Sequence, residues 1–181
     1  MYRNHIILIG LPGVGKTSIA KKTSHLISIH NPLSPILYQD TDSFIEDRHK
    51  MSITDLIHKK GEDNFRLIEA EAVEFCTGIS VPTIISTGGG IVNNLNLEAF
   101  FESNETIHIK CNIDEITSRL DTSIRPLLYN TSKKDQLLKL WNQRKDQYQK
   151  VSKYEIDISG LTLNMAAQKM YDYIKGKKWI W

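Results

Sequence analysis

Cysteine is almost absent. Cys76 and Cys111 are the only two in 181 residues, and they form no C-x-x-C pair. That excludes a disulfide scaffold and a cysteine-rich zinc site, and it suits a reducing compartment. Long apolar runs are missing as well. After Met1 to His5 the first one has four residues, Ile6 to Ile9, too few for a signal-peptide core and far short of the ~20 that cross a bilayer. A cytosolic protein is expected. Charge of either sign is not in excess: 23 Lys+Arg against 21 Asp+Glu leave +2, too balanced for a protein that binds chiefly by neutralising nucleic-acid phosphates or an anionic membrane. Neither partner is expected. The six histidines form no H-E-x-x-H and no G-x-S-x-G is present, so zinc-protease and serine-hydrolase readings lack their residues. Repeats, low-complexity tracts and Gly/Ser linkers are also missing.

What remains is an ordinary globular composition, 40% hydrophobic and 24% charged. The length is about 1.2 times a ~150-residue domain, enough to bury roughly 70% of the extended surface. One domain over residues 1–181 is expected. Ile6–Ile9 is a β-branched run closed by Gly10, the pattern of a strand buried on both faces. A helix is expected from Lys16 to about Ile27. Asn31-Pro32-Leu33-Ser34-Pro35 has loop chemistry, and Ile36–Gln39 reads as a second strand. Ser52 with Asp55 resembles a capping box, and Gly61 is a natural stop for the helix between them. A longer helix from about Glu62 to Cys76 puts Phe65, Ile68, Ala72 and Cys76 on one stripe. Val81–Ser86 is a third strand candidate, Thr106–Lys110 a fourth with an alternating pattern, and Glu155–Ile158 a fifth. Helices are expected over 112–120, 133–150 and 162–174. Strands separated by helices imply crossover units and a parallel sheet covered on both faces.

Gly10-Leu11-Pro12-Gly13-Val14-Gly15-Lys16-Thr17 matches G-x-x-x-x-G-K-[ST] between a predicted strand and a predicted helix, the context this motif needs. Chance yields such a string in about 0.6% of chains of this size, so a glycine turn with an incidental lysine is a poor account of it. Glycines let successive N–H groups turn inward around phosphate oxygens, and the helix N-terminus adds partial positive charge. Lys16 brings a full charge to the β/γ-phosphates, and the Thr17 hydroxyl can take one corner of an octahedral Mg²⁺. ATP with magnesium is the implied ligand. No N-K-x-D run for guanine is present, and Thr83–Ser86 ends without the acid of motor-type ATPases. Asp40 and Asp42, at the end of the second strand, offer carboxylates that project to one side if the backbone stays extended; a turn or helix N-cap accounts for them equally.

Asp40-Thr41-Asp42, Gly61-Glu62-Asp63-Asn64-Phe65-Arg66, Thr87-Gly88-Gly89-Gly90 and Arg125-Pro126-Leu127-Leu128 follow the Gly-rich loop in that order. Together they resemble shikimate kinase, collinearly from about residue 5 to 158. The resemblance implies a three-layer α/β P-loop kinase fold with a five-stranded parallel sheet and a mobile lid near residues 121–131. It implies transfer of the γ-phosphate of ATP to the 3-hydroxyl of shikimate, a step toward chorismate and the aromatic amino acids. A monomer is expected. Lys16, Asp42 and Arg125 are then the catalytic residues. Gly13, Val14, Gly15, Lys16, Thr17, Ser18, Arg119 and Arg125 bind ATP, and Thr17 and Asp40 hold the metal. Asp42, Arg66, Gly88, Gly89, Gly90 and Arg144 bind the acceptor.

Each assignment has a plainer competitor. Arg66 fits a solvated arginine paired with Glu62 or Glu69, and the glycines fit a strand-to-helix turn. Arg144 falls within the helical stripe Leu137, Trp141, Tyr148, Val151, which turns it inward; a bound carboxylate or an internal Asp or Glu would satisfy it there. The family usually has Pro-Leu-Tyr two residues after this arginine, where this chain has Asp146-Gln147-Tyr148. Arg119 lies one residue closer to Arg125 than the family pattern suggests. Asn31–Pro35 looks like a surface insertion remote from the chemistry. The tail from Lys175 to Trp181, basic and aromatic, is expected to be solvated or docked on its own chain. Two readings compete at the level of function: a P-loop kinase for another small acceptor, such as a sugar acid or a nucleotide, and a nucleotide-binding module without phosphotransfer.

Overall fold

The structure is a computed structural model and describes residues 5–94, 97–120 and 132–177. Five parallel strands, β1 (Ile6–Ile9), β2 (Leu37–Asp40), β3 (Thr83–Ser86), β4 (Glu105–Lys110) and β5 (Tyr154–Asp157), lie in the order β2-β3-β1-β4-β5. The register sets Ile6 between Ile84 and Glu105. Among the described residues the helices are α1 (Lys16–His30), α2 (Thr41–His49), α3 (Ile53–Lys60), α4 (Glu62–Thr77), α5 (Glu98–Ser103), α6 (Ile113–Arg119), α7 (Lys133–Val151) and α8 (Leu163–Lys175), with one 3₁₀ turn at Ile91–Asn93. The result is the expected three-layer α/β sandwich. The chain goes to one side of β1 for β2 and β3 and to the other for β4 and β5. The reversal falls at β1, and ligands of open α/β sheets bind at the carboxyl ends of strands beside such a switch. The Gly-rich loop leaves from that end.

Every residue of β1 and β3 is buried, as the apolar run predicted. The alternation read into the fourth strand is not borne out. Thr106, Ile107, His108 and Ile109 are all buried, because β4 lies between β1 and β5 with side chains covered on both faces. The edges are β2, whose Leu37 and Tyr38 are exposed, and β5, where only Ile156 is buried. Asn31–Pro35 forms the expected surface loop, with Leu33 almost wholly in solvent. Ser52 accepts from the Asp55 N–H and starts α3 as anticipated. A satellite cluster of Ile45, Leu56, Phe65 and Ala72 ties α2, α3 and α4 together beside the main core. No helix among the described residues is long and apolar enough to cross a membrane.

Two corrections concern α2 and α5, which the apolar pattern did not announce. Asp40 ends β2 and caps α2, its Oδ1 accepting the Ser43 N–H at 3.0 Å. Asp42 therefore lies in the first turn of a helix, and its alignment with Asp40 along an extended backbone does not hold.

Beneath α7, His108 stacks on Tyr148 with centroids 4.7 Å apart and on Trp141 at 6.0 Å. Its Nδ1 meets Glu155 Oε1 at 3.1 Å. Burial lowers the imidazole pKa, Lys110 and Lys16 push it the same way, and Glu155 only partly offsets them. Below the unfolded value near 6.5 the unfolded chain thus binds a proton that the native site resists. Stability conferred by neutral His108 is complete above that pH and is lost as pH falls through it, by at most ~1.4 kcal/mol per unit for one proton. Thermal melts of wild type and His108→Gln between pH 7.5 and 5 are expected to show a smaller acid loss in the variant. Equal losses would clear His108 of the effect.

Candidate active site

The loop between β1 and α1 has the curvature its glycines imply. Gly15 sits at φ 105°, ψ 19°, in left-handed space that a side chain rarely adopts. At Gly10, φ 145°, a Cβ would come 2.5 Å from the Ile109 carbonyl oxygen. Gly15 provides no side-chain cap for α1, and the N-terminal end of that helix, with its partial positive charge, opens at the cradle. Lys16, buried, curls back to donate from Nζ to the carbonyls of Gly10 at 2.9 Å and Leu11 at 3.0 Å. Its charge is thereby held inside the loop.

Thr17 and Asp40, the expected metal pair, are brought together. Thr17 Oγ1 donates to Asp40 Oδ2 at 2.6 Å and lies 3.1 Å from Ser86 Oγ. Ser86 pairs with Asp40 across β2 and β3, an oxygen the sequence reading did not single out. Beside this cradle a cavity of about 300 Å³ is lined by Gly15, Ser18, Arg119, Leu161, Thr162 and Ala166. Arg119 pairs there with Glu115 at 3.2 Å and approaches the Val14 carbonyl at 3.5 Å. Arg125 and the segment 121–131 lie outside the described residues, as do residues 178–181 of the tail.

The second group of residues converges on Gly88-Gly89-Gly90. These glycines lack positive φ; space is the reason for them. A Cβ on Gly88 would sit 2.8 Å from Asp42 Oδ1, one on Gly89 2.9 Å from Pro12 Cδ, and one on Gly90 3.0 Å from both terminal nitrogens of Arg66. The run also makes a turn, with Ile91 N–H donating to the Gly88 carbonyl, so the plainer reading holds alongside. Asp42, Arg66 and the loop residue Pro12 thus touch one short stretch of backbone from three directions.

Arg66 does pair with both Glu62, at 2.8 Å, and Glu69, at 2.9 Å. It is not a solvated surface arginine, since only 19% of its side chain is exposed. Burial alone would lower its pKa, but the bonds to Glu62 and Glu69 hold it above the ordinary value. Glu69 is the main residue the sequence reading overlooked as part of the site. It is 1% exposed, and burial raises its pKa against the pull of Arg66. The available signal was an acid on the buried stripe of α4, one turn beyond Arg66. Asn94 adds a bond from Nδ2 to the Arg66 carbonyl at 2.7 Å.

Arg144 turns inward as its stripe required, with Leu137 and Tyr148 buried around it. Its Nη1 donates to the Gly89 carbonyl at 3.0 Å. Its Nε is buried with no hydrogen-bond partner, an unmet donor on a cation beside Glu69, whose pKa its charge pulls down. An anion brought to this spot would find one arginine restrained by acids and another with a donor to spare.

The family model described as shikimate kinase matches residues 12–175. A shikimate kinase of Staphylococcus aureus (strain MSSA476) is 33% identical over 175 residues, 96% of this chain and 95% of that protein. One of Clostridium botulinum (strain Alaska E43 / Type E3) is 34% identical over 149 residues, 82% and 84% of the two chains. The solved shikimate kinase from Acinetobacter baumannii in complex with shikimate superposes with a TM-score of 0.83 at 24% identity, covering 97% of this chain and 94% of that one.

Proposed function

The chain belongs to the shikimate kinase family, and we propose that it transfers the γ-phosphate of ATP to the 3-hydroxyl of shikimate, giving shikimate 3-phosphate and ADP. The step serves aromatic amino-acid biosynthesis through chorismate. The carrying observation is the Gly88–Gly90 run, which Asp42 and Arg66 flank and whose middle residue packs on Pro12 of the phosphate loop. It joins the two halves of a phosphoryl-transfer site at the distance of a peptide unit. Neither a kinase for another small acceptor, such as a sugar acid or a nucleotide, nor a module without phosphotransfer is favoured by the family relationship.

Phosphoryl transfer passes through a loose transition state, so the protein contributes mainly positioning and electrostatics. In this reading Gly13, Val14, Gly15 and Ser18 supply loop and helix N–H groups to the phosphates, with the Lys16 ammonium at their centre. The cavity bordered by Arg119 takes the nucleoside end. Thr17 and Asp40 would hold Mg²⁺: a hydroxyl and a carboxylate oxygen 2.6 Å apart suit a hard cation whose other ligands are water and phosphate oxygens. The ion would neutralise charge building on the β- and γ-oxygens. Asp42 orients the accepting hydroxyl and takes its proton. Arg66 and Arg144 grip the acceptor carboxylate, and Arg125 brings a cation to the transferring group. Asp40 and Asp42 thus divide their labour: the first faces the metal side, and the second faces Gly88.

One continuous core cluster drawn from β1, β3, β4 and β5, with Ile36 just before β2, supports a single domain, and two free cysteines suit the cytosol. A coupled assay of ADP release tests the reading directly. ADP release is expected to depend on shikimate and to stay at background with gluconate or a nucleoside monophosphate. Equal turnover with those acceptors, or ATP hydrolysis indifferent to shikimate, would defeat it.

A further inference from the structure

The Gly89 carbonyl accepts two hydrogen bonds, and both donors come from α7 one turn apart. Arg144 Nη1 reaches it at 3.0 Å, and the Tyr148 hydroxyl at 2.6 Å. The core does not require that hydroxyl. Tyr148 is fully buried, with its ring stacked on His108 at 4.7 Å and 25°, and a phenylalanine ring would fill the same space. A buried tyrosine oxygen needs a partner. Here it takes the peptide oxygen in the middle of the acceptor-side glycine run. Gly89 is fixed from its other side as well, because a Cβ would strike Pro12 Cδ at 2.9 Å and Pro12 N at 3.0 Å. One peptide unit is thereby held between the phosphate loop and α7, and Arg144 is attached to it.

We propose that Tyr148 is a positioning residue for the acceptor: by sharing the Gly89 carbonyl with Arg144, its hydroxyl sets where the arginine fork stands relative to the phosphate loop. The inference rests on the reading of Arg144 as a carboxylate grip. A carbonyl oxygen has two lone pairs. With Tyr148 on one of them, Arg144 Nη1 is directed to the other, and its Nε keeps no protein partner. Without the hydroxyl, the guanidinium is free to slide over the vacated acceptor, and the carboxylate meets a fork at the wrong height. The phenol is a dependable donor for this task, since burial pushes its pKa up to about 12, although Arg144 pulls it down.

The experiment is a double-mutant cycle with wild type, Tyr148→Phe, Arg144→Ala and the combined variant, read as kinetics in both substrates with a thermal melt of each protein. In Tyr148→Phe the KM for shikimate is expected to rise by ~5- to 30-fold, the loss of one buried hydrogen bond to a charged network. The KM for ATP should stay within about twofold. In the Arg144→Ala background the same substitution should change kcat/KM for shikimate by less than about twofold, because its route of action is gone. An unchanged shikimate KM in Tyr148→Phe overturns the proposal. So does an equal factor in both backgrounds, or a parallel rise in both KM values with a lowered melt, which marks a structural tyrosine. A wild-type protein inactive toward shikimate overturns the parent reading instead, and this inference with it.

Discussion

Asp42→Asn is expected to cut kcat by ~10²- to 10⁴-fold, the usual contribution of a positioned acid–base group, while ATP affinity stays within a few-fold. The asymmetry follows from where the two acids stand. Asp40 is committed on both oxygens, to the Ser43 N–H and to the Thr17 hydroxyl, and so belongs to the nucleotide side. The Asp42 carboxylate lies against Gly88, on the acceptor side. Asparagine keeps the size and can still orient a hydroxyl, but it cannot take a proton. The hydroxyl becomes acidic only as its bond to phosphorus forms, after ATP is bound, so the loss should fall on kcat. Steady-state ADP release, paired with calorimetric titration of ATP, separates the two effects. A variant that loses nucleotide binding, or turns over at the wild-type rate, removes Asp42 from this role.

The Gly-rich loop was readable because its chemistry is local: glycine conformations, a lysine and a hydroxyl are spelled out in eight consecutive residues. The strand and helix order was readable for the same reason, from apolar periodicity bounded by Gly, Pro and capping residues. α2 was not. Only Thr41 and Ile45 of its nine residues are buried, so no apolar stripe marks it, and Asp-Thr-Asp reads as well for a strand end as for a cap. β4 misled for a different reason. Thr106 and His108 are polar residues in a doubly covered strand, which imitates the alternation of a half-exposed one.

Long-range pairings account for the remaining gaps. Spacing alone cannot tell a surface Arg66–Glu62 pair from the half-sunken Glu62–Arg66–Glu69 chain that the structure contains. Glu69 is buried because Arg66 and Asn94 meet it beside the glycine run, and Asn94 is 25 residues away in sequence. Tyr148 was legible as a core position, yet its hydroxyl gained meaning only when Gly89 appeared opposite it. The glycines show the same limit. They resemble a turn in sequence, whereas their cause is the crowding by Asp42, Pro12 and Arg66.

Arg144→Ala is expected to lower kcat/KM for shikimate by about 30-fold to several thousand-fold, the ~2 to 5 kcal/mol lost when a desolvated carboxylate loses its charged partner. Arg66→Ala should lose a comparable amount, with one difference that the pairing predicts. Arg66 is bonded to Glu62 and Glu69, so its removal leaves Glu69 buried without its principal counter-charge. Part of that loss should therefore appear as a lower melting temperature even without ligand. Arg144 has no such obligation, being tied to a neutral carbonyl with its Nε unpartnered. Its removal should leave the melt nearly unchanged and act on the acceptor alone. Shikimate kinetics and ligand-free melts of both variants are the measurement. Wild-type kinetics in both would dissolve the carboxylate grip, and a melt lowered by Arg144→Ala but not by Arg66→Ala would reverse the assignment of which arginine the fold depends on.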